Sequence, residues 1–212
     1  WWGAGAAEFF GDAIAVGDVN RDGLSDLLVG QPEFDRVHLY FGRARHGVEV
    51  SDASVFRLQG ESGTRLGESL LLTDVNGDGL DDVIVGASRD GPGGVFVFFS
   101  GPGMRGELTV ADADVVLRPP TGLSRVGGAI AVGDVDGDGH LDIAVGAPDS
   151  MDGAASGGGF MVVRGPIEAG VMTAASPDVR LGSSPAGQLG AQVVAIDLEG
   201  SPEIIQLAKK YE

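Results

Sequence analysis

Three short acidic loops carry the residues whose types and spacing could perform chemistry. Each loop follows the pattern D-x-[DN]-x-D-G-x-x-D. Four positions of each loop would supply side-chain oxygens: Asp18, Asn20, Asp22 and Asp26 in loop one; Asp74, Asn76, Asp78 and Asp82 in loop two; Asp134, Asp136, Asp138 and Asp142 in loop three. Position seven, which is Leu24, Leu80 or His140, would offer its backbone carbonyl.

These donors are all hard oxygens, and that donor set favours Ca²⁺ over zinc or copper. Loops one and two each gather three carboxylates at these positions, and loop three gathers four. Carboxylates this close repel one another strongly even at an effective dielectric constant of about 20. A glycine at position six allows a sharp turn because it has no Cβ. The pattern therefore predicts three structural calcium sites.

An EF-hand loop shares the first nine positions but ends with a bidentate glutamate at position twelve. Here position twelve is Val29, Val85 or Val145, within a β-branched run that predicts a strand. Without that ligand we expect weak sites, with dissociation constants of roughly 10⁻⁴ to 10⁻³ M. Such sites fill outside cells and stay largely empty in cytosol. We therefore expect an extracellular or cell-surface location.

The acidic loops belong to an internal repeat. The glycine that precedes each repeat lies at positions 11, 67, 127 and 190, which gives periods of 56, 60 and 63 residues. Each of the three full repeats predicts four strands, over residues 13–16, 26–29, 37–41 and 55–58, then 69–72, 82–85, 95–99 and 115–117, then 129–132, 142–145, 160–163 and 179–181. Four antiparallel strands per period are typical of a β-propeller blade.

The repeats predict a single all-β domain over residues 1–212. Blade one should span about 9–60, blade two about 65–120, blade three about 125–183 and a partial blade four about 188–212. In blade four we expect a strand over 192–197, and the repeat register favours a second strand over 203–207. Ser201-Pro202 could instead begin a helix. The fourth loop, 197–203, lacks the carboxylate of position five, and we predict no metal there.

The charge and composition exclude several classes of function. The net charge is −17, which disfavours nucleic-acid binding. There is no cysteine and no apolar run of 18 residues that would predict a membrane-spanning helix. His38, His46 and His140 share no repeat position and follow no nucleophile motif, so we expect no catalytic residues and no enzymatic activity.

Phe10-Gly11, the three acidic loops and the sequence VGAP at 145–148 resemble the FG-GAP repeat of integrin α-subunit propellers. VGQP at 29–32 and VGAS at 85–88 are variants of the last element. The resemblance implies a seven-bladed ring, structural calcium in the loops between the first two strands, and ligand binding on the opposite face. Seven blades of this length need roughly 420 residues.

The chain holds about three and a half blades. We therefore expect two chains to close one ring as a homodimer. The alternatives are a small ring of four imperfect blades, or a segment of a longer protein. The expected function is a non-catalytic module for adhesion that binds a protein or carbohydrate ligand. A lectin with sugar sites between blades, or an accessory domain of a secreted enzyme, is the alternative.

Overall fold

The computed structural model describes residues 10–42, 56–101, 104–119, 124–148, 158–173, 179–181, 188–198 and 201–209. These residues form strands, turns and two single-turn 3-10 helices, Pro32–Phe34 and Val110–Asp112. No helix in these ranges is long and apolar enough to cross a membrane. The architecture of the described chain is therefore all-β, as predicted.

The described residues contain sixteen strands. In chain order they are β1 (Ile14–Gly17), β2 (Asp26–Gln31), β3 (Arg36–Tyr40), β4 (Phe56–Gln59), β5 (Leu66–Thr73), β6 (Asp82–Ala87), β7 (Gly94–Phe98), β8 (Gly106–Thr109), β9 (Val115–Arg118), β10 (Ile130–Gly133), β11 (Asp142–Ala147), β12 (Gly159–Val163), β13 (Gly170–Thr173), β14 (Val179–Leu181), β15 (Gln188–Leu198) and β16 (Ser201–Lys209).

Each full repeat folds into one antiparallel sheet, which we call a blade. Blade one is β1-β2-β3-β4, blade two is β5-β6-β7-β9, and blade three is β10-β11-β12-β14. The last two strands, β15 and β16, form an antiparallel hairpin, which we call blade four. Residues 201–209 are thus a strand, in agreement with the repeat register, and do not form the alternative helix. The described sheets form part of a β-propeller.

The blades pack face to face through apolar side chains. Between blades one and two, Phe56 meets Phe98 edge-on with their ring centroids 6.1 Å apart, and both side chains are fully buried. Between blades two and three, Val97 and Met161 lie in a second buried cluster. Removing this apolar surface from water stabilises the stack of blades. Large side chains of the third and fourth strands therefore fill the space between blades.

Two strands were not predicted, and both lie in the connection between the third and fourth strands of a blade. Strand β8 leaves blade two and pairs in parallel with β4 of blade one. Strand β13 leaves blade three and pairs in parallel with β9 of blade two. The side chains of β8 are mostly exposed, so no apolar alternation marks this strand in the sequence. Each of these strands covers the outer edge of the preceding blade.

Glycines allow neighbouring blades to approach at the backbone. A Cβ on Gly30 of β2 would overlap the carbonyl oxygen of Gly67 in blade two. A Cβ on Gly86 of β6 would overlap the carbonyl oxygen of Gly127 in blade three. Gly67 and Gly127 have φ of +89° and +103°, a region that other residues rarely adopt. At each of these two blade boundaries, the glycine of the VGAP-like element thus contacts the glycine that marks the start of the next repeat.

A buried carboxylate joins blades one and two. Asp35 follows the 3-10 helix after β2 and is 4% exposed. It accepts hydrogen bonds from the N–H of Gly63 at 2.7 Å, the N–H of Arg65 at 2.6 Å and the hydroxyl of Thr64 at 3.0 Å. These donors lie in the connection from β4 to β5. Charge-assisted hydrogen bonds therefore hold this connection against blade one.

The first strand of blade one exposes two apolar side chains. Ile14 and Val16 of β1 are 63% and 62% exposed. Ile14 pairs with Val29, and in blade two Leu70 pairs with Val85 in the same register. Leu70 is only 7% exposed because it lies in the cluster between blades one and two. We call the face of blade one that carries Ile14 and Val16 the leading face.

The Gly86→Ala variant tests the close approach of the blades. We expect the free energy of unfolding to fall by about 1–3 kcal/mol, because the new methyl group meets backbone atoms that cannot move without separating two blades. The measurement is urea denaturation. Gly101→Ala is the control, since no atom lies within 4 Å of the added Cβ there. An equal loss in the two variants would contradict the packing argument.

The pH dependence of stability tests the environment of His38 on the leading face. Its ring lies 5.6 Å from that of Phe10. Burial, then the charges of Arg57 and Arg36, lower the pKa of His38 to about 4. The unfolded chain therefore binds a proton near pH 6.5 that the folded chain resists, and stability is lost as pH falls from 6.5 towards 4.

We expect His38 to lower the free energy of unfolding by about 1–2 kcal/mol as the pH falls from 7 to 5. The His38→Phe variant should lack that part of the loss; the equivalent position in blade two is Phe96. Urea titrations at the two pH values give the difference. A His38→Phe protein with an unchanged pH dependence would refute the assignment.

Candidate metal centre

The three acidic loops occupy equivalent places in the fold. Loop one connects β1 to β2, loop two connects β5 to β6, and loop three connects β10 to β11. Position six is Gly23, Gly79 or Gly139, with φ of +80°, +87° and +90°. The sharp turn predicted at this glycine is therefore present in all three loops.

Hydrogen bonds fold each loop around its own carboxylates. In loop three, Asp134 accepts from the N–H of Asp138 at 3.1 Å and from the N–H of Gly139 at 2.9 Å. Asp138 in turn accepts from the N–H of His140 at 2.8 Å. Loops one and two repeat this set of bonds at the same positions. Backbone donors thus hold positions one and five in fixed places.

The carboxylates of loop three converge. One oxygen from each of Asp134, Asp136 and Asp138 lies within 4.8 Å of the other two. Three hard, negatively charged donors at this spacing fit a divalent cation such as Ca²⁺. Loops one and two have an asparagine at position three, and its amide oxygen is a donor of the same class. Asn20 already accepts the N–H of Asp22 at 2.9 Å.

The aspartate at position nine lies beneath each loop. Asp26, Asp82 and Asp142 are fully buried. Asp82 accepts from the N–H of Val75 at 3.1 Å and from the N–H of Ser100 at 2.9 Å, so it ties the loop to the end of β7. Asp26 and Asp142 make the equivalent pairs of bonds. Each carboxylate oxygen keeps a second lone pair, which leaves capacity for a cation.

Burial changes the acidity of these groups. Loss of hydration raises the pKa of Asp82 to about 6, while the two backbone N–H groups oppose the rise. Burial likewise raises the pKa of Asp26, against hydrogen bonds from Gly42 and Val19. The negative charges of positions one and five add to both increases. A cation beside the loop would relieve this repulsion.

Loops one and two are tied together across the blade boundary. Asp81 accepts the N–H of Asp18 at 2.7 Å, and the Asp18 carbonyl accepts the N–H of Asp81 at 3.2 Å. The guanidinium group of Arg21 lies beside Gly79. The repeat pattern does not predict these contacts, because position eight is Ser25 in loop one and Leu141 in loop three, and the partner of Asp81 is 63 residues away.

Loop three has a cationic partner that the sequence reasoning also missed. Arg164, just after β12, lies 3.2 Å from Asp136 between Nη1 and Oδ2. The equivalent residues after the third strands of blades one and two are Phe41 and Phe99. Comparison of the repeats could have found it, since loop three alone combines an aspartate at position three with an arginine here.

The structure brings the predicted ligands of each loop into one turn, with positions one, three and five at the surface and position nine below. Position seven, the proposed carbonyl donor at Leu24, Leu80 and His140, lies in the same turn. Residues 199 and 200 of the fourth loop, and His46, lie outside the described residues. The prediction for the fourth loop therefore stays a prediction.

Comparison with known proteins identifies the family that this chain resembles. A family model described as an FG-GAP repeat matches residues 10–45, and one described as an FG-GAP-like repeat matches residues 74–145. Integrin alpha-PS5 of Drosophila melanogaster is 34% identical over 153 residues, which is 66% of this chain. Integrin alpha-7 of Mus musculus is 34% identical over 148 residues, or 65% of the chain.

Integrin alpha-5 of Xenopus laevis is 32% identical over 169 residues, which is 74% of this chain. The matched stretches cover only 15%, 12% and 15% of these three relatives. The chain is therefore similar to one segment of each relative, and the similarity concerns that segment.

Substitutions in loop two can separate structural carboxylates from surface carboxylates. In chelator, we expect Asp82→Ala to lower the free energy of unfolding by about 2–4 kcal/mol, because two buried N–H groups lose their acceptor. Asp78→Ala is the matched control. Its carboxylate is exposed, so we expect a change of less than about 1 kcal/mol in chelator. Urea denaturation of both variants provides the comparison, and a reversed order would disprove the structural role of Asp82.

Proposed function

We infer that this FG-GAP-repeat, integrin-α-like β-propeller domain acts as a calcium-stabilised, non-catalytic binding module. The observation that carries the inference is the threefold recurrence of one acidic loop, with the same turn and the same hydrogen bonds, at the same place in each blade. Repetition of the whole donor set indicates a shared role in the fold, since each loop joins the first two strands of a blade.

Three calcium ions would bind, one in each loop. Loop one would use Asp18, Asn20, Asp22, Asp26 and the Leu24 carbonyl, and loops two and three would use the equivalent residues. When bound, Ca²⁺ supplies positive charge that offsets the repulsion between carboxylates. The residues of the chain do the rest: backbone N–H groups orient positions one and five, and the buried position nine fixes the loop to the third strand.

An extracellular or cell-surface location agrees with weak calcium sites. Valine at position twelve removes the bidentate ligand that gives EF-hand loops their high affinity. Millimolar calcium would be needed to fill such sites, and this concentration exists outside cells. The location is therefore part of the proposal and follows from the expected affinity.

The ligand would be a protein or a carbohydrate, bound by loops that do not repeat. The relatives are integrin α subunits, and this relationship supports adhesion as the role of the module. A glycan array probed with and without calcium tests the choice of ligand class. Binding of one glycan family at repeat-equivalent sites would favour the lectin alternative, and failure on glycans would favour a protein ligand or an accessory role.

A homodimer that closes the ring would cover the leading face of blade one. Ile14 and Val16 occupy positions whose equivalents in blade two line a blade interface, so the face has the chemistry to receive another blade. In the dimer, the second copy would supply that blade. The exposure of two large β-branched side chains in one strand is the observation that favours this partner.

Calcium removal should lower the melting temperature. With a dissociation constant of about 1 mM, 10 mM calcium would stabilise each filled site by about 1.4 kcal/mol. Three sites together would raise the melting temperature by roughly 10 °C relative to chelated protein. Calorimetric titration of chelated protein measures affinity and number of sites. Absence of binding, or sub-micromolar affinity, would exclude the proposed sites.

The homodimer is tested by multi-angle light scattering. We expect a mass twice that of the 21.5 kDa chain. An Ile14→Asp/Val16→Asp variant should be a folded monomer, since both side chains are exposed within the single chain. A clean monomer for the unsubstituted protein would reject the dimer and leave the calcium proposal untouched.

A further inference from the structure

We propose that Arg164 is a counter-ion built into loop three, which weakens divalent-cation binding there relative to the same loop without it. The inference rests on the proposed calcium role of loop three. Its basis is one contact: Arg164 Nη1 lies 3.2 Å from Oδ2 of Asp136, which is the ligand at position three. The arginine therefore competes for an oxygen that the metal needs.

The three repeats provide an internal comparison. Position three is Asn20 in loop one and Asn76 in loop two, and the residue after the third strand is then phenylalanine. In loop three, position three is an aspartate and the residue after the third strand is Arg164. The extra negative charge and the extra positive charge therefore occur in the same repeat and in contact with each other.

Charge balance explains why the two residues occur together. Loop three gathers four carboxylates where the other loops gather three. Counted over the four side-chain ligand positions, the guanidinium group offsets the fourth carboxylate that loops one and two lack, and it relieves repulsion among carboxylate oxygens within 4.8 Å. The same positive charge repels an incoming Ca²⁺. Binding must either displace the arginine from Asp136 or proceed beside a like charge.

The size of the effect is limited by solvent. The side chains of Arg164 and Asp136 are 55% and 26% exposed, so water screens part of their interaction. Exposed ion pairs change an equilibrium constant by less than about tenfold. We therefore expect Arg164 to tune the affinity of loop three, and we do not expect it to block the site.

A site-specific probe is needed because three loops would bind together. His140 is exposed, and only its backbone carbonyl is a proposed donor, so His140→Trp can be introduced as a sensitiser. Tb³⁺ bound in loop three would then emit on excitation of this tryptophan, and Ca²⁺ would compete for the site. Subtracting the Tb³⁺ emission of the unsubstituted chain corrects for Trp1 and Trp2. The His140→Trp protein is the parent for the comparisons below.

In this background, Arg164→Phe should bind Ca²⁺ about two- to fivefold more tightly, because an opposing charge is removed. Arg164→Lys keeps the charge and should stay within about twofold of the parent. Asp136→Asn should weaken binding, and the gain from Arg164→Phe should be smaller in that background, since the contact is already lost. The double variant carries the residue pair of loops one and two.

Arg57→Phe is the matched control. It removes one positive charge from a comparable exposed pair, in which Arg57 lies 2.8 Å from Glu107 in blade one. The affinity of loop three should not change in that variant. Circular dichroism and thermal melting establish that every variant is folded.

The outcomes separate this inference from the proposed function. If the His140→Trp parent shows no sensitised emission that calcium abolishes, loop three does not bind the ion and the proposed function fails there. If calcium competes normally but Arg164→Phe binds with the same affinity as the parent, the calcium role stands and the inference about Arg164 is wrong. Equal gains from Arg57→Phe and Arg164→Phe would also overturn it.

Discussion

The close approach of neighbouring blades at glycine is the constraint on which the rest of the structure depends. Gly30 meets the carbonyl of Gly67, and Gly86 meets the carbonyl of Gly127, so no side chain fits between the second strand of one blade and the start of the next. This contact sets the separation of the sheets at one edge. The aromatic and aliphatic side chains of the third and fourth strands then fill the wider space, where Phe56, Phe96 and Phe98 are buried.

The acidic loops follow from the same arrangement. Because the starts of blades two and three are held against the preceding blade, the turn into the second strand of each emerges at a fixed place. Asp82 and its equivalents secure the base of that turn by accepting two backbone N–H groups, although burial of the carboxylate raises its pKa. The remaining carboxylates stay at the surface, where a cation can reach them. One repeated loop thus combines a structural carboxylate with surface donors.

Some contacts between blades recur from one repeat to the next, and others do not. The parallel strands β8 and β13 recur and cover the outer edge of the preceding blade. Position eight is an aspartate only in loop two, where Asp81 bonds Asp18, and an arginine follows the third strand only in blade three, where Arg164 contacts Asp136. The repeating contacts build the propeller, while the single contacts distinguish one loop or blade boundary from the next. Differences in cation affinity between loops would arise from the second group.

The sequence by itself determined the all-β class, the four-stranded blade and which residues belong to each acidic loop. These features depend on local periodicity and on turn residues such as Gly23, Gly79 and Gly139. It also placed the second strand of blade four by register. Only the tertiary structure decided which oxygens are buried, which strand caps which edge, and which cation faces Asp136. Those features join residues such as Asp18 and Asp81 that are 63 positions apart, and no local pattern in the chain encodes the distance between two blades.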